Sequence, residues 1–156
     1  MEKKESFDEY KILSWCIQIC SAIEYMHAAK IYHRDLKPQN ILVFKAGSLL
    51  KLADFGTAKY MGNDKEEDMK TFTGTPGFMA PEVTKLQTKY DGKADLFSIG
   101  VMMYSFIMTR DRPQIQGHVY TEKDLAASPH SQELKLLTLA CLDTEPANRP
   151  DIKQLL

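Results

Sequence analysis

Apolar residues recur near the start of the chain at the spacing of one helix face. Within residues 7–29 they stand three and four positions apart, a period that predicts an amphipathic helix. The residues of this face are Leu13, Cys16, Ile17, Cys20 and Ile23. Ser6 and Glu9 have the spacing of a capping box, which favours a helix start at this point.

Two short apolar runs farther along the chain have the character of β-strands. Residues 41–44 and 49–52 are mostly aliphatic, and residues 45–48, which include Gly47, separate them. This arrangement predicts a small β-hairpin. Residues 60–73 mix charges with little apolar periodicity, so we expect a surface loop there.

The most apolar part of the sequence, residues 94–108, predicts a helix that is buried on most sides. A membrane-spanning helix needs about 20 apolar residues, and charged residues bracket this run, so we expect no membrane segment. Residues 132–142 again show a helical period, residues 112–129 are polar and irregular, and a last helix is expected to begin at Asp151. Together these patterns predict a mainly α fold with a small β-hairpin.

The composition fits one ordinary globular domain. The chain has 156 residues, of which 44% are hydrophobic and 26% charged, enough for a sizeable core. A net charge of -1 provides no general attraction for nucleic acid, so we expect no such partner. The charged start lacks the pattern of a secretory signal, and an odd count of three cysteines is typical of a reducing compartment. We therefore expect an intracellular, cytoplasmic protein.

Two of the cysteines allow a second interpretation. Cys16 and Cys20 lie one helical turn apart and His27 follows two turns later, a spacing that a metal site could use. Because both cysteines fall on the apolar stripe, and buried cysteine behaves as a small hydrophobe, core packing is the favoured interpretation.

Three strings of residues carry the chemistry. They are His-Arg-Asp-Leu-Lys-Pro-Gln-Asn at residues 33–40, Asp-Phe-Gly at residues 54–56 and Ala-Pro-Glu at residues 80–82. Each alone could be an ordinary turn. Together and in this order they resemble the signature set of the protein kinase superfamily.

The resemblance implies a protein-kinase-like fold and covers one part of it. Residues 1–156 correspond to the C-terminal, helical lobe of the domain, with the catalytic loop at residues 33–40 and the activation segment at residues 54–82. A kinase normally has in addition an N-terminal lobe with a glycine-rich loop and a lysine that hold ATP. Neither motif occurs in this sequence. We therefore expect the N-terminal lobe to be absent, and the chain alone to be inactive or nearly so.

The resemblance also assigns roles in phosphoryl transfer from ATP to a protein substrate. Asp35 would accept or orient the proton of the attacking hydroxyl, and Lys37 would neutralise charge on the moving phosphoryl group. Asn40 and Asp54 would provide oxygen ligands to Mg²⁺, a hard cation that prefers them. Residues implied to contact the nucleotide are Lys37, Gln39, Asn40, Leu42 and Asp54.

The type of substrate follows from the same segments. The catalytic loop, with Lys37, resembles that of serine/threonine kinases, and in the family a threonine at the position of Thr75 bridges the catalytic aspartate and lysine. We expect a protein substrate with a serine or threonine acceptor. Residues 74–82 also resemble those of tyrosine-kinase-like and Roco-type kinases.

Regulatory and structural residues are implied as well. Arg34 would pair with a phosphate on the activation segment, for which Thr71 and Thr73 are the candidate acceptors. Asp95 would hold the backbone of the catalytic loop, and Glu82 and Arg149 would form a buried ion pair. The remaining structural candidates are His33, Phe55 and Gly56.

An alternative function stays open. The expected absence of the N-terminal lobe would leave apolar surface for that lobe, or for a covering partner, to bury. The chain could then be a catalytically inactive, truncated kinase lobe that acts as a protein-interaction module, although the intact set of catalytic residues argues against a long-standing loss of activity.

Overall fold

Helices around one buried central helix form most of the structure. The computed structural model describes residues 7–61, 73–84, 91–109 and 117–156. Its helices are α1 (Glu9–Ala28), α2 (Pro81–Thr84), α3 (Lys93–Ile107), α4 (Glu122–Leu125) and α5 (Gln132–Cys141). Helix α3 contacts both α1 and α5, and its side chains are buried on nearly every side. The mainly helical fold expected from the sequence is confirmed.

Two small antiparallel sheets complete the fold. Strands β2 (Ile41–Phe44) and β3 (Leu49–Leu52) form the expected hairpin, with Ile41 opposite Leu52. Strands β1 (Ile31–Tyr32) and β4 (Lys59–Tyr60) pair with each other, with Ile31 opposite Tyr60. Short 3₁₀ turns occur at Pro38–Asn40, Lys45–Gly47, Pro146–Asn148 and Ile152–Gln154.

Helix α1 fixes the hairpin through polar side chains. The indole Nε1 of Trp15 donates to the carbonyl of Gly47 at 2.7 Å. Gln18 accepts from the backbone N–H of Leu50 at 2.9 Å and donates to the carbonyl of Ser48 at 3.2 Å. Because these bonds join the turn and strand β3 to the longest helix, the residues before β2 and after β3 have a fixed position.

The core contains the cysteines for which the sequence left two interpretations. Cys16 and Cys20 are buried in the hydrophobic cluster between the helices, and burial raises the pKa of the Cys20 thiol to about 12. They pack as small apolar side chains. His27 points instead to Asp95 of α3. Within the described ranges, no helix has the length and apolar character needed to cross a membrane.

Two local expectations were wrong, and a third lies partly outside the described residues. The third is the capping box of Ser6 and Glu9: Ser6 lies outside the described residues, α1 has Asp8 as its N-cap, and the Glu9 carboxylate accepts hydrogen bonds from Ser131. The irregular stretch at 112–129 contains helix α4, too short for a periodic pattern. The helix expected from Asp151 is one 3₁₀ turn.

Candidate active site

The Asp95 carboxylate binds the backbone of the segment that links β1 to the 3₁₀ turn before β2. Asp95, in the first turn of α3 and only 2% exposed, accepts the backbone N–H of His33 at 3.0 Å and of Arg34 at 2.9 Å. Arg34 has a positive φ of 73°, a conformation that costs free energy in a residue with a side chain. The two bonds to Asp95 hold the backbone in that conformation directly before Asp35.

Asp35 is the centre of a group of four polar side chains. Its Oδ1 accepts a hydrogen bond of 2.7 Å from the Thr75 hydroxyl, and its Oδ2 accepts one of 2.7 Å from Lys37 Nζ. Lys37 Nζ also donates to Thr75 Oγ1 at 2.7 Å. Asn40 Nδ2 donates to the Asp35 carbonyl at 2.8 Å and to Oδ2 at 3.3 Å. The loop 33–40 and the segment 73–84 therefore meet at this carboxylate.

The environment of Asp35 keeps it ionised. Burial alone would raise the pKa of its carboxyl, but the hydrogen bonds from Lys37, Thr75 and Asn40 and the positive charge of Lys37 outweigh burial and hold the pKa below its ordinary value. An ionised carboxylate has about four acceptor positions, and the bonds described above use three of them. One position on Oδ1 is therefore available to a hydroxyl group.

Asn40 and Asp54 lie at the same end of the hairpin. The backbone N–H of Ala53 donates to the carbonyl of Asn40 at 2.9 Å, which places residue 54 beside residue 40. Both side-chain bonds of Asn40 use its Nδ2, so its Oδ1 is the atom left for a ligand, and the Asp54 side chain is exposed. An amide oxygen and a carboxylate are oxygen donors of the kind that Mg²⁺ prefers, and these residues fit that ion.

The Asp-Phe-Gly segment adopts a strained turn. Asp54 has a φ of 59°, and its Oδ1 accepts the backbone N–H of Gly56 at 3.3 Å. The ring of Phe55 lies 5.6 Å from the ring of buried His33, whose Nε2 is 3.2 Å from the carbonyl of Ala53. The imidazole of His33 thus joins the segment at 53–56 to the loop that carries Asp35.

The far end of the segment 73–84 is fixed to the core. Ser98 of α3 donates to the carbonyl of Phe78 at 2.8 Å. Arg149 forms two hydrogen bonds with the Glu82 carboxylate, at 2.6 and 2.8 Å, and both side chains are buried. These contacts fix the backbone that positions Thr75 against Asp35.

The whole chain, residues 1–156, matches the model of the protein kinase domain. This chain belongs to the protein kinase family. Its curated relatives include the serine/threonine-protein kinase nekl-2 of Caenorhabditis elegans, 34% identical over 160 residues that cover 98% of this chain and 44% of nekl-2. Nek5 of Mus musculus is 34% identical over 158 residues, 96% of this chain and 25% of Nek5. Probable serine/threonine-protein kinase nek3 of Dictyostelium discoideum is 32% identical over 170 residues, 99% of this chain and 14% of nek3.

These matches confirm the recognition made from the three motifs, including the serine/threonine type. The chain spans between 14% and 44% of the length of these three kinases. The likeness of residues 74–82 to tyrosine-kinase-like and Roco-type kinases stays a prediction, because the relatives named here are Nek-type kinases.

The structure does not bring every predicted kinase residue into the central group. Gln39 is exposed on the 3₁₀ turn, and Leu42 is exposed on β2. Thr73 is half-buried at the start of the segment 73–84, and Thr71 lies outside the described residues. The roles of these residues stay predictions.

Sequence reasoning missed one residue beside the site. His27, in the last turn of α1, bonds through Nε2 to Oδ2 of Asp95 at 2.8 Å. Helical spacing relates His27 only to residues of its own helix, such as Cys16 and Cys20. A basic residue in the last turn of a helix fits the helix dipole, but that signal does not indicate a partner in α3.

Proposed function

We infer that the chain is the catalytic part of a serine/threonine protein kinase that transfers the γ-phosphoryl group of ATP to a serine or threonine hydroxyl of a protein. The observation that carries this proposal is the Asp35 carboxylate, ionised and held between Lys37, Thr75 and Asn40. Phosphoryl transfer needs positioned charge more than covalent chemistry, and this group holds the opposite charges of Asp35 and Lys37 in place with two neutral hydrogen-bonding side chains.

Asp35 would orient the attacking hydroxyl. Its low pKa makes it a weak proton acceptor in the ground state, so it would align the hydroxyl through the remaining acceptor position on Oδ1 and take up the proton late in the transfer. Thr75 already donates to the same oxygen at 2.7 Å. An incoming serine or threonine hydroxyl would bind beside the Thr75 hydroxyl, which favours a short acceptor side chain.

Lys37 would stabilise the phosphoryl group. Its ammonium has three N–H donors, and two are used, for Asp35 and Thr75. The third is available to an oxygen of the group in transfer. Asn40 and Asp54 would hold Mg²⁺, which when bound neutralises charge on the phosphates.

The test of the proposal is Asp35→Asn in the whole protein that carries this chain. Transfer of labelled γ-phosphate from ATP to a serine- or threonine-containing peptide should fall at least about a hundredfold, because the neutral amide loses the acceptor needed for the hydroxyl proton. Asp8→Asn, at an exposed helix N-cap without a side-chain capping bond, is the matched control and should leave transfer unchanged. Undiminished transfer by Asp35→Asn would contradict the assignment.

Phosphorylation of the activation segment would regulate the kinase. Arg34 would pair with a phosphate on Thr71 or Thr73 and so order the activation segment. Thr73 stands two residues before Thr75 in the chain, so a phosphate there would act on the position of the Thr75 hydroxyl. A Thr71→Ala/Thr73→Ala protein should lose activity, and full activity would rule this mechanism out.

A second candidate function has its own observation. An apolar cleft of about 550 Å³ lies between α1 and the hairpin, with Ile19, Ala22 and Met26 on one side and Ile41 and Leu52 on the other. Such a surface indicates a docking site. We assign this cleft to the strand-rich, ATP-holding lobe of a kinase, in the same protein or on a partner. The intracellular location of the protein stays a prediction.

Binding of a separately produced ATP-holding lobe of a serine/threonine kinase, measured by calorimetry, tests this assignment. Ala22→Asp places a charge in the cleft and should weaken binding by at least about tenfold. Ala140→Asp, at an exposed position of α5, should not. If the lobe binds but transfer is absent even with Asp35 intact, the chain is an interaction module. If Ala22→Asp binds like the unsubstituted chain, the cleft is not the docking site.

A further inference from the structure

His27 contacts the residue on which the catalytic loop rests. The distance from its Nε2 to Oδ2 of Asp95 is 2.8 Å, and the two side chains are only 14% and 3% exposed. Because Asp95 also accepts two backbone N–H groups, we take His27 Nε2 as the donor in this hydrogen bond. The imidazole is thus a hydrogen-bond donor to a buried carboxylate.

The same carboxylate oxygen serves the loop. Oδ2 of Asp95 accepts both from His27 Nε2 and from the backbone N–H of His33, while Oδ1 accepts the N–H of Arg34. A carboxylate that rotates about its Cβ–Cγ bond would lose the alignment of both backbone bonds at once. The His27 bond, which comes from a different element, restrains that rotation.

The structure also restrains the ring of His27. It packs on the ring of Tyr32 with 5.1 Å between centroids. On the other side lies Gly92, where a Cβ atom would come within 2.8 Å of His27 Cε1 and 2.9 Å of Nδ1. These contacts hold the imidazole in an orientation that faces Asp95. Neutralising the end of the helix dipole would need only a positive charge near the end of α1 and does not account for this arrangement.

We propose that His27 is a positioning residue for phosphoryl transfer, acting through Asp95 on the backbone of His33 and Arg34 and so on the direction of Asp35. The catalytic consequence rests on the proposed kinase function. The hydrogen-bond relay itself does not, because it can be measured without any transfer of phosphate.

The experiment compares His27→Gln with His27→Leu in the full chain. The amide nitrogen of glutamine lies as many bonds from Cα as Nε2 of histidine, so His27→Gln can keep the donor, whereas His27→Leu removes it. The measurement is hydrogen exchange of the backbone amides of His33 and Arg34 by NMR. Loss of one hydrogen bond to a charged group corresponds to about a tenfold or greater loss of protection, and we expect it for His27→Leu only.

Two controls separate positioning from general loss of stability. His118 bonds to the carboxylate of Asp124 at 3.1 Å, far along the chain from the loop, so a His118→Leu variant removes a similar pair and should leave the amides of His33 and Arg34 protected. Amides in the centre of α3 report global opening in every variant. Equal protection in His27→Leu and the unsubstituted chain, or equal loss in the Gln and Leu variants, would overturn the proposal.

Where the whole protein transfers phosphate, His27→Leu should lower kcat by about tenfold or more with little change in KM for ATP, and His27→Gln should restore it. If the exchange result holds while no variant, including the unsubstituted protein, transfers phosphate, the relay stands and the proposed kinase function fails. If transfer is intact and unaffected by His27→Leu, the positioning role is overturned although the kinase function stands.

Discussion

The ion pair between Glu82 and Arg149 gives the sharpest test of how this domain is held together. Arg149 is 2% exposed and Glu82 7% exposed. The two hydrogen bonds between them, at 2.6 and 2.8 Å, join the end of the segment 73–84 to the chain after α5. The perturbation is Arg149→Met, which keeps an apolar side chain of similar length and removes the charge and all donors.

The expected loss of unfolding free energy follows from the buried groups that lose a hydrogen-bond partner when Arg149 is replaced. A buried carboxylate without its partner costs about 3 to 5 kcal/mol. Arg149 also donates to the carbonyls of Asp143 and Lys93, each at 2.8 Å, and a buried carbonyl left without a donor costs roughly 1 kcal/mol or more. The unfolding free energy should therefore fall by at least about 4 kcal/mol, a large share of the roughly 5 to 15 kcal/mol of a typical domain.

Urea denaturation of the variants measures this loss. Glu82→Met leaves the arginine with both carbonyl bonds, so it should cost less than Arg149→Met. The double variant removes the buried charge entirely and should cost less than the sum of the two single changes, since each single change strands one ion. A loss below about 1 kcal/mol for Arg149→Met, or strictly additive effects, would refute the view that the pair is a buried, desolvated one.

Two further predictions concern other elements. Glu9→Gln should lower stability at neutral pH by about 1 kcal/mol, reduced by solvent screening, because the hydrogen bonds from Ser131 hold the pKa of the Glu9 carboxyl below its ordinary value. That contribution is present above the ordinary glutamate pKa of about 4.3 and disappears as the pH falls through the lower folded value, so melting curves of variant and parent should converge in acid; a constant difference would contradict the assignment. Gly100→Ala should cost about 1 to 3 kcal/mol by overpacking, because the new Cβ would lie 2.8 Å from Cys141 Cβ and 2.9 Å from Leu142 Cγ. Alanine favours helices over glycine by about 1 kcal/mol. A stabilised variant in the same assay would therefore mean that α5 shifts to accommodate the new Cβ.

Local patterns were sufficient for the long elements and for finding the loop that carries Asp35. The helix within residues 7–29 and the hairpin at residues 41–52 follow from spacing alone, and the structure has both. Of the predicted helix face, Cys16, Cys20 and Ile23 are buried, whereas Leu13 and Ile17 are exposed. The loop at residues 33–40 could be read from the sequence because its chemistry restricts residue types at fixed positions. Asp95 could be linked to that loop only through the family resemblance, since the two are far apart in the sequence.

The contacts that the sequence did not reveal join distant residues. Glu9 was assigned to a helix cap because capping rules consider a few neighbouring residues, whereas its carboxylate is bound by Ser131 of a different element. His27 was grouped with the cysteines of its own helix for the same reason. No periodicity relates His27 to Asp95, and only the packing of α1 on α3 brings them together.

The first two turns of α3 form several hydrogen bonds to other parts of the chain, although the helix is mostly apolar. Asp95 holds the loop before Asp35, and Ser98 holds the carbonyl of Phe78 in the segment that carries Thr75. Lys93 receives a bond from Arg149 on its carbonyl and donates to the Arg149 carbonyl from Nζ, at 2.7 Å. Three separate parts of the chain are therefore hydrogen-bonded to the same end of α3. Because the Asp35 carboxylate needs partners from two of these parts, a shift at this helix end should alter the site before it unfolds the core.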